Sequence, residues 1–142
     1  MSNLSKRRLL GMGLVAFTGL AGVGYVMNAS SEAAGFEHMF MPVSEMKAGN
    51  ALIVDIRTPQ EWRDTGVIEG ATLLTFRSPE SFLAQIGPQL ADGRDLILVC
   101  RSGNRTLAAA KALQGRIPNR IVSIAGGMRK VMASGYQPVA PR

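Results

Sequence analysis

Cys100 is the only cysteine of this 142-residue chain, and the residues that follow it are Arg101, Ser102, Gly103, Asn104, Arg105 and Thr106. A thiol attacks as its thiolate, so its surroundings decide whether it reacts. If a helix begins near Arg105, the backbone N–H groups of residues 101–106 curl beneath the sulfur as an anion-binding nest. The helix N-terminus adds positive partial charge, and Arg101 and Arg105 add formal charge. Gly103 allows the sharp turn, because it has no Cβ to penalise positive φ. Each feature stabilises a thiolate and favours nucleophilic chemistry. A lone cysteine at a strand end also serves as a small core residue; its charged neighbours are what point to chemistry. Asp55 and Arg57, two residues apart, read either as a catalytic pair or as a structural pair beside the loop. His38 in "HMFM" has no Cys or carboxylate at ligand spacing, so it reads as part of an apolar first strand and not as a metal ligand. No cofactor is expected.

These residues need elements to hold them. "HMFM" (38–41) reads as a short strand, and Ser44 as the cap of a short helix through Lys47. "ALIVDI" (51–56) and "DLILVC" (95–100) are β-branched, apolar and bounded by turn residues, the pattern of buried strands. Thr58 before Pro59 opens a helix running to Gly66, with Glu61 on its solvated face and Trp62 packing it onto the sheet. "ATLLTF" (71–76) is a further strand. Ser78 and Pro79 start a helix through about Ile86, where Gly87-Pro88 breaks or kinks it. Residues 105–114 read as helix, "RIVSIA" (120–125) as strand, and 127–134 as a last helix. Short apolar strands alternating with helices predict an α/β fold, a small and largely parallel sheet flanked by helices on both faces. In such sheets ligands gather at the carboxyl ends of strands, where Cys100 lies.

With "CRSGNR" (100–105), "VDIRTPQEW" (54–62), "GVIEGA" (66–71) and "AGG" (125–127) in this order and spacing, the chain resembles a single-domain rhodanese over roughly residues 38–139. The resemblance implies a rhodanese-like fold and a thiosulfate sulfurtransferase-like enzyme in which Cys100 becomes a persulfide. It implies that the loop amides from Arg101 to Thr106 cradle the terminal sulfur and that Arg105 ties the loop down. Asp55 and Arg57 would then hold the neighbouring strand ends. The chain departs from the family at Val67 and Glu69, where a histidine and a proline are usual, and at Val131, where a tryptophan is frequent. Four residues separate Cys100 from Arg105, one fewer than in the cysteine phosphatases, and the shorter loop suits one sulfur atom better than a tetrahedral phosphate. The expected partners are a small anionic sulfur donor and a thiol or cyanide acceptor. The alternative is a carrier or thiol-based binding module that presents the persulfide or bare thiol to a partner protein.

The bulk composition agrees with one globular domain: 46% of residues are hydrophobic and 18% charged. Residues 35–142 carry 13 Lys and Arg against 9 Asp and Glu, a net +4 without any lysine-rich block. Nucleic acid is therefore not an expected partner. One cysteine excludes an internal disulfide. Lys6, Arg7 and Arg8 precede an uncharged run from Leu9 to Met27, and Ser31-Glu32-Ala33 offers a cleavage site. Residues 1–34 therefore read as a signal peptide or a membrane anchor, and 35–142 as the rhodanese-like domain. Either way the domain is expected outside the cytoplasmic membrane, periplasmic or tethered to the inner membrane facing the periplasm. Contact with a membrane is expected only through the N-terminal segment, if it is uncleaved.

Overall fold

A computed structural model describes residues 35–142; the leader expected over residues 1–34 lies outside the described residues. Five strands and five helices alternate: β1 (Phe36–Met39), α1 (Val43–Ala48), β2 (Leu52–Asp55), α2 (Pro59–Thr65), β3 (Thr72–Leu73), α3 (Pro79–Leu90), β4 (Leu96–Val99), α4 (Asn104–Leu113), β5 (Ile121–Ile124) and α5 (Gly127–Ala133). The strands form one sheet in the order β1-β5-β4-β2-β3, and every pairing is parallel. No helix among the described residues is long and apolar enough to cross a membrane.

All four residues of β2, β4 and β5 are buried, as strands covered on both faces must be. Alternation of side chains divides them between two cores. Leu52, Val54, Ile56, Leu96, Leu98 and Cys100 meet Phe82, Ile86 and Leu90 of α3 and Ala109, Ala110 and Leu113 of α4. On the other face Ile53, Ile97, Val99, Val122 and Ile124 meet Val43 and Met46 of α1 and Met128 and Val131 of α5. Cys100 thus continues the α3/α4 face of β4. Val131, which stands where the resemblance noted a frequent tryptophan, is wholly buried in the second core.

Several element boundaries differ from the sequence reading. Helix α3 passes through Gly87-Pro88 and ends at Leu90. Phe82, Ile86 and Leu90 recur every fourth residue on the buried face, so continuing the helix buries Leu90, while Pro88 removes one backbone bond in the last turn. Ser44 caps nothing: α1 starts at Val43, with the Pro42 carbonyl accepting from the Glu45 and Met46 amides at 3.0 and 3.1 Å. Burial of Val43 and Met46 sets that start. Strand β1 begins two residues early because Phe36 to Met39 pair with Ile121 to Ile124. Strand β3 keeps only Thr72 and Leu73. Beyond it Leu74 and Phe76 still donate to β2-side carbonyls, at 3.1 and 3.3 Å, but pack toward the α3/α4 core. Helix α2 is as expected at its start, where Thr58 and Glu61 form a reciprocal capping box. None of its residues is fully buried; Trp62 is half-buried, outside the two core clusters, with its indole Nε1 enclosed and without a hydrogen-bond partner among the described residues.

Candidate active site

Cys100 follows β4 at the carboxyl edge of the sheet and is wholly buried. The chain turns through Arg101 and Ser102, and Gly103, in the left-handed region at φ 94°, caps α4 without any side-chain help. The Gly103 amide donates to Cys100 Sγ at 3.1 Å. The first helical bond of α4 runs from the Leu107 amide to the Gly103 carbonyl at 3.0 Å. The amides of Arg101, Ser102, Asn104, Arg105 and Thr106 find no protein acceptor among the described residues. A loop with that many free N–H groups offers its donors to an anion.

A second helix start supports the loop from the other side. The α5 amides of Met128 and Arg129 donate to the carbonyls of Cys100 at 2.7 Å and Arg101 at 3.1 Å. This contact explains the paired glycines. A Cβ on Gly127 would collide with the Cys100 carbonyl oxygen, and Gly127 sits at φ 53°. A Cβ on Gly103 would lie 2.9 Å from the Gly126 nitrogen and 3.0 Å from the Ile124 oxygen. Gly103, Gly126 and Gly127 let two helix N-termini converge on one loop.

The arginines divide into two roles. Arg57, wholly buried, donates to both Asp55 oxygens at 2.7 to 3.1 Å, to Thr65 Oγ1 at 2.6 Å and to the Gly66 carbonyl at 2.7 Å. It ties the end of α2 to the end of β2, the structural reading of the Asp55–Arg57 pair. Arg105 differs from expectation. Its guanidinium has no bond to a loop carbonyl; it grips the Glu61 carboxylate with both terminal nitrogens, at 2.5 and 2.9 Å. The bond to Arg105 holds the Glu61 carboxyl down at about 2, with the Thr58 amide assisting against burial. The Arg105 charge is held in turn chiefly by Glu61, and Cys100 and Asp55 add to it by charge. Arg105 therefore clips α4 to the start of α2, and Glu61 is part of the site and not simply a solvated helix residue. Arg101 and Asn104 are exposed and Ser102 is half-buried. Arg101, Arg129, Met128 and Met132 line a cavity of about 380 Å³ together with Arg57, Glu61 and Thr65.

Beneath the loop lies a polar line that sequence reasoning did not connect. Thr106, wholly buried, has its Oγ1 3.7 Å from Cys100 Sγ, 3.0 Å from the Gly103 carbonyl and 2.9 Å from Ser123 Oγ. His38 Nδ1 lies 2.9 Å from the same serine hydroxyl. One sequence signal was available: Ser123 is a hydroxyl inside the otherwise apolar strand "IVSI".

Residues 43–134 match the family model described as a rhodanese-like domain. Among solved structures, the chain is similar to a rhodanese-like domain protein from Staphylococcus aureus, at 20% identity over 69% of this chain and 90% of that one, TM-score 0.52. It is similar to a rhodanese-related protein from Thermoplasma volcanium, at 23% identity over 69% and 92%, TM-score 0.54. It is also similar to a protein of unknown function from Rhodopseudomonas palustris described as a possible tyrosine phosphatase, at 24% identity over 68% and 76%, TM-score 0.56. At these identities the likeness shows the fold. No curated protein matches the chain.

Proposed function

Because the chain belongs to the rhodanese-like domain family, we propose that it is a sulfurtransferase that carries sulfane sulfur as a persulfide on Cys100. The observation that supports this most is a buried sulfur that accepts from the Gly103 amide, in a loop where the amides of Arg101, Ser102, Asn104, Arg105 and Thr106 are free and the Arg105 charge acts on Cys100. A persulfide bears its negative charge on the terminal sulfur, where such preorganised donors are most effective. The Cys100 thiolate attacks the outer sulfur of a donor such as thiosulfate. The new S–S bond forms as the old one breaks, and sulfite leaves with the electron pair. Cyanide or a small thiolate then attacks the terminal sulfur and returns the thiolate. Sγ is wholly buried, so loading requires the loop to open transiently, and the exposed Arg101 and Arg129 suit a small anionic donor.

Mass spectrometry of the intact chain tests this reading. Thiosulfate should add the mass of one sulfur atom, and cyanide should remove it. Cys100→Ser should take up none; uptake by that variant overturns the assignment. Repeated turnover with cyanide separates an enzyme from a carrier, which would load once and hold its sulfur for a partner. Four residues between Cys100 and Arg105 leave a cradle too tight for phosphate, so aryl phosphates should not be hydrolysed. Robust phosphatase turnover would replace the sulfur-transfer reading.

A further inference from the structure

Four side chains form a continuous polar line from the core to solvent. Cys100 Sγ meets Thr106 Oγ1 at 3.7 Å, Thr106 meets Ser123 at 2.9 Å, and Ser123 meets His38 Nδ1 at 2.9 Å. Cys100, Thr106 and Ser123 are wholly buried, whereas His38 is exposed. His38 and Ser123 are direct partners in the β1–β5 register, so both project to the same face of the sheet as Thr106. A buried hydroxyl is costly unless it is hydrogen-bonded. Alanine would fill the Ser123 position without needing partners, so packing alone does not account for the serine. A wholly buried thiol also cannot hand its proton directly to water, and this line ends at solvent.

We propose that His38 is a positioning residue for Cys100, the outer half of a thiolate–imidazolium pair relayed through Thr106 and Ser123. The inference rests on reading Cys100 as the nucleophile. In the relay the S–H bond breaks and its electron pair stays on sulfur. The thiol proton passes to Thr106 Oγ1, the Thr106 proton to Ser123 Oγ, and the Ser123 proton to His38 Nδ1. Each hydroxyl ends with one proton and a reversed direction, so Thr106 now donates to the thiolate. The imidazolium can lose its Nε2 proton to water. Thr106 Oγ1 also donates to the Gly103 carbonyl at 3.0 Å, so its hydroxyl must rotate away from that acceptor for the relay to run. The charged groups tied to the two ends are Arg101 in the loop, Arg105 with its partner Glu61, Asp55 with its partner Arg57, and Glu37 on β1 with its partner Arg120 just before β5. His38 is the only histidine of the chain, so its ring signals report a single site.

The single imidazole of the full, untagged chain gives a clean proton NMR titration. Cys100→Ser should lower the His38 midpoint by about half a pH unit or more, because the partner charge is gone. Ser123→Ala should do the same while leaving both ends in place. By reciprocity, His38→Gln and Ser123→Ala should raise the pH midpoint for alkylation of Cys100 by iodoacetamide by a similar amount. Thr106→Ser keeps the hydroxyl and should retain the linkage. An imidazole midpoint identical in wild type and Cys100→Ser overturns the proposal. So does a Ser123→Ala variant that alkylates more slowly at every pH without moving the midpoint, the mark of a merely structural role. Neither measurement uses sulfur transfer. Linkage in a protein that takes up no sulfur would reject only the sulfurtransferase reading, and missing linkage in an active protein only the relay.

Discussion

Glu61 does two jobs with one carboxylate: it closes the capping box of α2 with Thr58 and holds the fork of Arg105. The second job makes it pH-dependent. Its folded value of about 2 lies below the ordinary 4.5, so its stabilisation is complete above about pH 4.5 and is lost as pH falls toward 2. The pair is partly solvated, which limits its worth to about 0.5–1 kcal/mol. Glu61→Gln should therefore lower stability by about that much at pH 7, and the gap to wild type should close between pH 4.5 and 2. Urea midpoints of both proteins across this range check it; a gap that widens on acidification would show that Glu61 acts otherwise. Arg105 was legible as a charge beside the thiol. Its partner was not, because Glu61 lies 44 residues away.

Helices α4 and α5 both begin at glycines and both aim their N-termini at the cysteine loop. What separates a required glycine from a tolerated one is what its missing Cβ would touch. Gly127 and Gly115 both have positive φ, 53° and 76°, but only Gly127 presses on other backbone. Gly115→Ala should lose about 1–2 kcal/mol from the φ penalty alone. Gly127→Ala should lose clearly more, since backbone atoms of Cys100 and Arg101 must move, and it should slow sulfur loading at Cys100 as well. Denaturant midpoints and uptake rates measured side by side decide this. Equal losses in the two variants would mean that α5 does not press on the loop. Helix α3 carries the complementary lesson: a glycine-proline pair did not end it, because the apolar stripe continued to Leu90.

At the scale of the molecule, the described residues form a parallel sheet with a core on each face, and the site sits at the carboxyl end of its central strand, β4. The N-terminal Lys-Arg-Arg and the apolar run after it precede the described residues in sequence and motivate a proposal of export. In a bacterial host, a reporter active only in the cytoplasm and fused after Arg142 should stay dark. A bright reporter would overturn that reading of residues 1–34.

The sequence by itself determined what depends on neighbours along the chain. Apolar β-branched runs too short for helices became buried strands, and their alternation with helices dictated a parallel α/β sheet. The cysteine loop was legible because thiol, turn glycine, arginines and helix start fall within six consecutive positions. Pairings between distant residues were decided only by tertiary structure. Arg105 chose Glu61 over the loop carbonyls because α2 and α4 start side by side. Ser123 reached Thr106 across 17 residues, and His38 reached Ser123 across 85, because β1 joined the sheet beside β5. Local patterns record which face a side chain takes, but strand order decides which side chains meet. Strand order is set by how the whole chain buries its two cores.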